Sequence, residues 1–329
     1  MSLGGRLLLL SLCPLSVLPM RVLYWISDVV CLILHRVVGY RRTLVRRNIQ
    51  ACFPEKGEQE RKEIEDGFYQ YFCDYAFESI KLLTIGRTEI RRRMRFVGLE
   101  QLAEQTKAGR SCSVFLGHYC NWEWLSTAAD WSEGEMKNGG KGEKLEIYQV
   151  YHELENKAFD ELFVHMRERY GAKCVPMAST LRALVEARND GRAVVMCYVM
   201  DQAPFWNNIH HWVDFLNHDT PVLTGAEKLA RRMGHACYYA HLRRVKRGEY
   251  ECRIVPIVTA PDDKSEYSAT DEFYRLLEEN IREQPSLWLW SHNRWKRTRE
   301  EYNIRLDKET GIVDLGNIEE IKRRKGIAL

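Results

Sequence analysis

The sequence contains no uninterrupted apolar run long enough to cross a bilayer, no C-x-x-C pair, no internal repeat and almost no net charge. Each absence removes a class of protein. Lys+Arg 49 against Asp+Glu 46 leaves a formal charge of +3, so no general basic field points to nucleic acid, and nucleic acid is not expected as a partner. The ten cysteines (13, 31, 52, 73, 112, 120, 174, 197, 237 and 252) lack the paired spacing of a zinc knuckle or a disulfide framework. They read as reduced core residues of a cytosolic compartment. Cys120 accordingly reads as a small buried hydrophobe rather than a nucleophile.

What is present begins with a core: 329 residues with 45% hydrophobic content suffice for one large domain. Residues 7–20 (LLLLSLCPLSVLPM) and 22–34 (VLYWISDVVCLIL) are apolar runs divided by Arg21 and interrupted by Pro14, Pro19 and Asp28. Neither alone reaches the roughly 20 residues of a spanning helix. No small-x-small cleavage site follows, and the apolar character continues to Val38, so a retained membrane anchor is predicted. Arg36, Arg41, Arg42, Arg46 and Arg47 come next; they would keep this side cytoplasmic and be drawn to anionic headgroups. The expected organisation is an anchor with a basic juxtamembrane segment over 1–50 and a single catalytic domain over 51–329.

Residues 57–84 carry Ile64, Phe68, Tyr71, Phe72, Tyr75, Ile80 and Leu83 at helical spacing, which predicts a long amphipathic helix or helix pair with its aromatic stripe in the core. A second basic cluster, Arg87, Arg91, Arg92, Arg93 and Arg95, reads as a solvated helix face or a headgroup-binding one. Candidate strands fall at 112–117, 145–151, 172–176, 193–199, 235–242 and 250–258, with helical patterns at 155–170, 178–188 and 222–233 between them. This alternation predicts an α/β fold with a largely parallel sheet whose later strands pair antiparallel across the short connection 244–249. The Gly-rich segment 131–144 suits a loop gating a site. The tail IKRRKGIAL reads as a solvated end.

Val114 to Leu116 should end a strand, Gly117 gives the turn room, and Asn121 is a good N-cap for a helix over Trp122 to Ala129. His118 then sits in the crossing loop and Glu123 in the first helical turn, where the helix dipole favours a carboxylate. On one helix the two would diverge by about 140°; a strand-loop-helix setting lets them meet. The expected chemistry has His118 as general base for an attacking alcohol, with Glu123 accepting the other imidazole N–H. Transfer would be direct, without an enzyme nucleophile.

GHYCNWEW (117–124) resembles the histidine, four residues, acidic motif of the lysophospholipid acyltransferase superfamily, and its Asn-Trp-Glu ending looks like the late lipid A acyltransferases. RRNIQACFPE (46–55), ENKAFDELFVHMRERYG (155–171), DQAPFWNNIHHWVDFLNHDTPVLTGAEKLARRMG (201–234) and LWLWSHNRWKR (287–297) are similar, in order, to further segments of that family. The whole resembles a Bacteroidetes-type member.

The resemblance implies an αβ sandwich with a central, mostly parallel mixed sheet flanked by helices, of the glycerolipid acyltransferase type, with an N-terminal membrane anchor helix. It implies His118 and Glu123 as catalytic residues, and Asn121, Arg167, Arg169, Asp201 and Gln202 as substrate-binding, Asn121 by holding the motif turn. The implied donor is acyl carrier protein or, as a variant, acyl-CoA, with no cofactor. The implied acceptor is a lipid A precursor at the cytoplasmic face of a bacterial inner membrane. Another lysolipid, an amino-acid lipid or a glycolipid, or water in a thioesterase, would need the same catalytic residues. The chain departs from the family at Phe215, Leu216, Asn217, where an FFG-like turn is usual, and at His152 in place of arginine. His210, His211, Asp214 and His218 fall in a loop that needs no metal in the resemblance, and no metal site is expected.

Overall fold

The computed structural model describes residues 1–137, 145–257 and 266–327. The chain opens with four helices, α1 (Leu3–Val17), α2 (Met20–Leu32, continued by a π-helical stretch to Val38), α3 (Arg42–Cys52) and the long α4 (Glu58–Lys81). α4 starts where Glu60 reaches back to the Gly57 N–H at 2.9 Å, a carboxylate at the positive end of the helix. Its stripe is core, with Phe68 and Tyr71 essentially fully buried. Lys81 in the last turn donates to the carbonyls of Ser16 at 2.9 Å and Leu18 at 2.8 Å, so the end of α4 caps the end of α1.

No single described helix is long and apolar enough to cross a membrane; the pair Leu3–Val17 and Met20–Val38 passes that test together but is bent by 109°. The expected single anchor helix is therefore two short ones, because Pro19 N-caps α2 and breaks the run.

A seven-stranded sheet follows: β1 (Met94–Val97), β2 (Cys112–Leu116), β3 (Ile147–Tyr151), β4 (Lys173–Pro176), β5 (Val195–Val199), β8 (Ala236–Lys246) and β9 (Glu249–Pro256), ordered β1-β9-β8-β2-β5-β3-β4. All its pairs are parallel except β8 with β9. A separate hairpin joins β6 (His211–Phe215) to β7 (His218–Val222). Between the strands lie α5 (Arg87–Arg93), α6 (Leu99–Lys107), α7 (Ala128–Lys137), α8 (Lys157–Glu168), α9 (Thr180–Asn189) and α10 (Gly225–Met233), and after them α11 (Ser268–Glu283), α12 (Arg299–Arg305) and α13 (Ile318–Arg324). The mixed, mostly parallel sheet flanked by helices is the α/β arrangement the alternation predicts. β2 is buried at all five positions, as a central strand covered on both faces should be.

Two strand features escaped the sequence reading, as did helices α3, α6, α11, α12 and α13. β1 sits inside the second basic cluster: Met94 and Phe96 point inward while Arg95 points out, and Arg87 and Arg91 bond the buried Asp130 at 2.7 and 2.8 Å. That cluster is in part an internal ion-pair site, which corrects its reading as a solvated or headgroup-binding face. The β6–β7 hairpin was the other. Leu216 and Asn217 form its two-residue turn with φ of 51° and 65°, the left-handed pair of a type I′ turn. Of the Gly-rich segment 131–144, residues to Lys137 are helical; 138–144, part of the strand reading at 258, and the last two residues lie outside the described residues.

Candidate active site

Two adjacent strands bring the site together. β2 and β5 run parallel with Leu116 opposite Val199, and the Met200 N–H bonds the Leu116 carbonyl at 2.9 Å. Two residues past each strand end stand His118 and Asp201, side by side at the carboxyl edge of the sheet, where α/β folds place their crevices. Gly117 is needed there: a Cβ would meet Leu277 Cδ1 at 2.9 Å and Asp201 Oδ2 at 3.2 Å.

Asp201 holds His118 at two points. Its Oδ1 accepts from His118 Nδ1 at 2.6 Å, and its Oδ2 accepts from the His118 backbone N–H at 2.9 Å and from Trp288 Nε1–H at 2.8 Å. Burial by itself pushes the Asp201 carboxyl up. The charge and hydrogen bond of the His118 imidazole, with the Trp288 and backbone donors, more than offset it and bring the carboxyl to about 2. A carboxylate on Nδ1–H leaves Nε2 as the acceptor nitrogen. The Gln202 side-chain amide lies 3.2 Å from Nε2, and the ring meets the Trp122 edge at 5.2 Å between centroids.

Behind the histidine the motif turns sharply. Cys120 has a φ of 56°, a left-handed backbone unusual for a residue with a Cβ. It is held by its N–H on the Leu287 carbonyl at 2.8 Å and by Tyr71 donating to its carbonyl at 2.8 Å. Cys120 is fully buried and burial pushes its thiol up, the setting of a structural rather than a reactive cysteine; all ten cysteines are free. Asn121 N-caps a 3₁₀ turn, Trp122–Thr127, through Trp124 N–H at 3.1 Å, and its Nδ2 donates to Glu78 Oε2 at 2.6 Å. It is fully buried, which fits the expected role of holding the motif turn.

Glu123 does not reach the imidazole. Arg167, from α8, grips it with Nε at 2.8 Å and Nη2 at 2.6 Å, and the Tyr75 hydroxyl adds a bond at 3.2 Å. Burial raises the Glu123 carboxyl, but the charge and bonds of Arg167, then Tyr75 and the His118 charge, leave it below its ordinary value. The expected His118–Glu123 hydrogen bond is thus replaced by His118–Asp201, with Glu123–Arg167 a second pair buried behind it. Tyr75 links the two, stacking on Trp122 at 4.1 Å. Arg169 is turned toward the end of α4 rather than the imidazole: its Nη1 donates to the Leu82 and Ile85 carbonyls at 3.1 and 2.8 Å, and the residue is exposed. Gln202 alone among the expected binders is both exposed and at the base.

Three residues were not singled out. Glu78, completely buried, accepts from Tyr24, Tyr250 and Asn121 at 2.7, 2.8 and 2.6 Å; burial raises its carboxyl to about 7. Its signal was available, since Tyr71, Tyr75 and Glu78 share a helix face at i, i+4, i+7. Trp288 binds Asp201, and His292 Nε2 accepts from the Ala203 N–H at 3.4 Å. Burial, with cations around it, pushes the His292 imidazole down to about 4. In the His-rich loop, His211 bonds Asp271 at 2.6 Å and His218 bonds the Leu216 carbonyl at 2.7 Å while stacking on Trp295.

Comparison with known sequences gives two matches. The family model described as bacterial lipid A biosynthesis acyltransferase matches residues 6–297. A lipid A biosynthesis acyltransferase of Haemophilus influenzae is 22% identical over 252 residues, 76% of this chain and 74% of that one.

Two outcomes follow from the buried carboxylates. Glu123→Ala should cost about 3–5 kcal/mol in chemical denaturation by stranding Arg167, and Glu123→Leu with Arg167→Met should recover much of it; equal stability of wild type and Glu123→Ala would show the pair to be dispensable. Glu78 binds its proton more tightly folded than unfolded, so its contribution to stability is full below about pH 4.5 and is lost as pH rises through about 7. Glu78→Gln, which resembles the protonated carboxyl, should therefore gain melting temperature relative to wild type between pH 5 and pH 8. The same pH slope in both proteins would contradict it.

Proposed function

The chain belongs to the bacterial lipid A biosynthesis acyltransferase family, and from that premise we propose that it moves a fatty acyl group from a thioester, on acyl carrier protein or coenzyme A, to a hydroxyl of a lipid A precursor, with His118 as general base. The observation that carries this reading is the His118–Asp201 pair at 2.6 Å, which leaves Nε2, facing only the exchangeable Gln202 amide at 3.2 Å, as the nitrogen to take a proton at a partly exposed position.

In the proposed reaction the acceptor hydroxyl takes up a position on Nε2 and gives it the proton as its oxygen attacks the thioester carbonyl. Asp201 fixes the reactive tautomer and stabilises the imidazolium, the part an aspartate plays in a hydrolase triad. Gln202, whose amide faces the same nitrogen, hands its hydrogen bond to the incoming oxygens. When the carbon–sulfur bond breaks, His118 returns the proton to the thiolate. Glu123, Arg167 and Asn121 hold the loop that aims the imidazole, and precise aim is worth orders of magnitude in rate.

A membrane setting is supported by the N-terminal helices. Leu3, Leu7, Leu10, Val17, Trp25, Leu32, Val37 and Val38 are each 59–77% exposed, an apolar surface on one bent pair that water alone would not favour. With Arg6, Arg21 and Arg36 interspersed, this reading has the pair seated at the cytoplasmic face of the inner membrane.

Turnover of an acyl-acyl carrier protein with a lipid A precursor, followed by mass spectrometry, tests the chemistry. His118→Ala and Asp201→Asn should each lower kcat by about 10²- to 10⁴-fold with the fold intact by circular dichroism. Wild-type turnover in either variant would refute the mechanism. Lipid A from cells lacking this chain should miss one secondary acyl chain; an unchanged profile would move the acceptor to another lysolipid or glycolipid.

A further inference from the structure

Positive charge collects without a carboxylate at ion-pair distance around residues 291–297. Arg41 and Arg47, on the N-terminal helices, donate to the Ser291 carbonyl at 2.8 Å and to Asn293 Oδ1 at 3.0 Å. Arg294 donates to the Pro221 carbonyl at 2.7 Å and the Tyr274 hydroxyl at 3.2 Å. Lys296 and Arg297 extend from the same loop, Arg297 lying 5.5 Å from the Phe205 ring and 5.6 Å from the Trp206 ring. Among the described residues none of these five cations has a carboxylate oxygen within 4.0 Å. The contrast is local, since Arg42 and Arg46 of the same α3 both bond Glu65.

Such a cluster is costly as it stands. Arg294 is fully buried with Nε and Nη1 unpartnered, and Arg297 Nε is likewise buried and unpartnered, each a desolvation penalty without return. Burial, against the opposing charge of Glu301 and with Arg305 and Arg294 near, holds the Arg297 guanidinium below the usual arginine range, and burial with Arg297 holds Lys296 below the usual lysine range. An anion bound at the exposed side of this cluster would offset its uncompensated positive charge. The cluster also adjoins the base: Gln202 faces His118 Nε2, the next residue bonds His292, and Phe205 and Trp206 of the same loop carry Arg297.

We propose that Arg47, Lys296 and Arg297, backed by Arg41 and the buried Arg294, form a phosphate subsite beside His118 that binds a phosphate ester carried by a substrate. Arginine forks and a lysine ammonium are the donors suited to phosphate oxygens, and the aromatic faces of Phe205 and Trp206 keep Arg297 presented. The subsite rests on the acyl-transfer reading for its purpose. Two substrates carry the chemistry: a phosphorylated sugar on the acceptor, or the phosphodiester of a pantetheine arm on the donor.

The test uses the full chain and Lys296→Gln with Arg297→Gln, the first position exposed and the second half-buried. Kinetics are run with the phosphorylated acceptor, with the same acceptor after phosphatase treatment, and with the donor varied separately. The acceptor KM should rise about tenfold or more with kcat within about threefold, and the dephosphorylated acceptor should be used equally by both proteins. A rise in the donor KM instead assigns the subsite to the pantetheine phosphate. Unchanged KM for both substrates overturns it. Should the wild type transfer no acyl group to either acceptor, the acyl-transfer reading fails by itself. Calorimetric titration with inorganic phosphate then decides the subsite: weaker binding by the variant supports it, and equal binding overturns it.

Discussion

The fold is arranged around one buried carboxylate. Asp201 is 2% exposed, and a carboxylate taken from water is costly unless donors surround it. The donors come from far apart in sequence: ring and backbone of His118, 83 residues earlier, and the indole of Trp288, 87 residues later. Satisfying Asp201 therefore fixes three segments at once. It also fixes the protonation pattern of the histidine, since an ionised Asp201 accepts from Nδ1 and turns Nε2 outward.

The rest of the molecule supplies the frame for that contact. Parallel pairing of β2 and β5 sets the two residues level. Glu78 on α4 and the Glu123–Arg167 pair hold the left-handed turn at Cys120 from behind. The N-terminal helices close the ring, for Asn48 donates to the carbonyls of Trp290 and His292 at 2.9 and 3.1 Å. Those bonds tie the segment at 46–48 to the segment at 288–292, whose Trp288 donates to Asp201. The cost of unpaired cations in that same loop is borne at the place where an anionic substrate group would arrive.

How far the sequence could be read follows the range of each interaction. Strands β2, β3, β4, β5, β8 and β9 were visible because their patterns are local, and the short connection announced the antiparallel β8–β9 pair. β1 was hidden because four residues amid arginines show too little alternation. The turn at Leu216–Asn217 needed a left-handed leucine that propensity disfavours. At the site, His118 and the Asn121 cap were legible from strand-end and capping signals. The partner of His118 was not, because local spacing favours the glutamate five residues on, while the true contact depends on which strand lies beside β2. Had β2 and β5 been known as in-register neighbours, the two-residue offset from Leu116 to His118 and from Val199 to Asp201 would have given it. Arg167 and Arg169 carry the same charge two positions apart, and only the packing of α8 shows that one holds a carboxylate and the other a helix end.

In the proposed mechanism Asp201 sets the His118 tautomer and leaves Nε2 as the base. Nitrogen-15 resonances of the histidine ring, assigned by loss of signal in a His118 variant, test it most directly. The neutral ring of His118 should carry its proton on Nδ1 with Nε2 unprotonated, converting to the other tautomer or to a mixture when Asp201 becomes asparagine. An Nε2–H tautomer in the wild type, or a ring indifferent to Asp201, would contradict it.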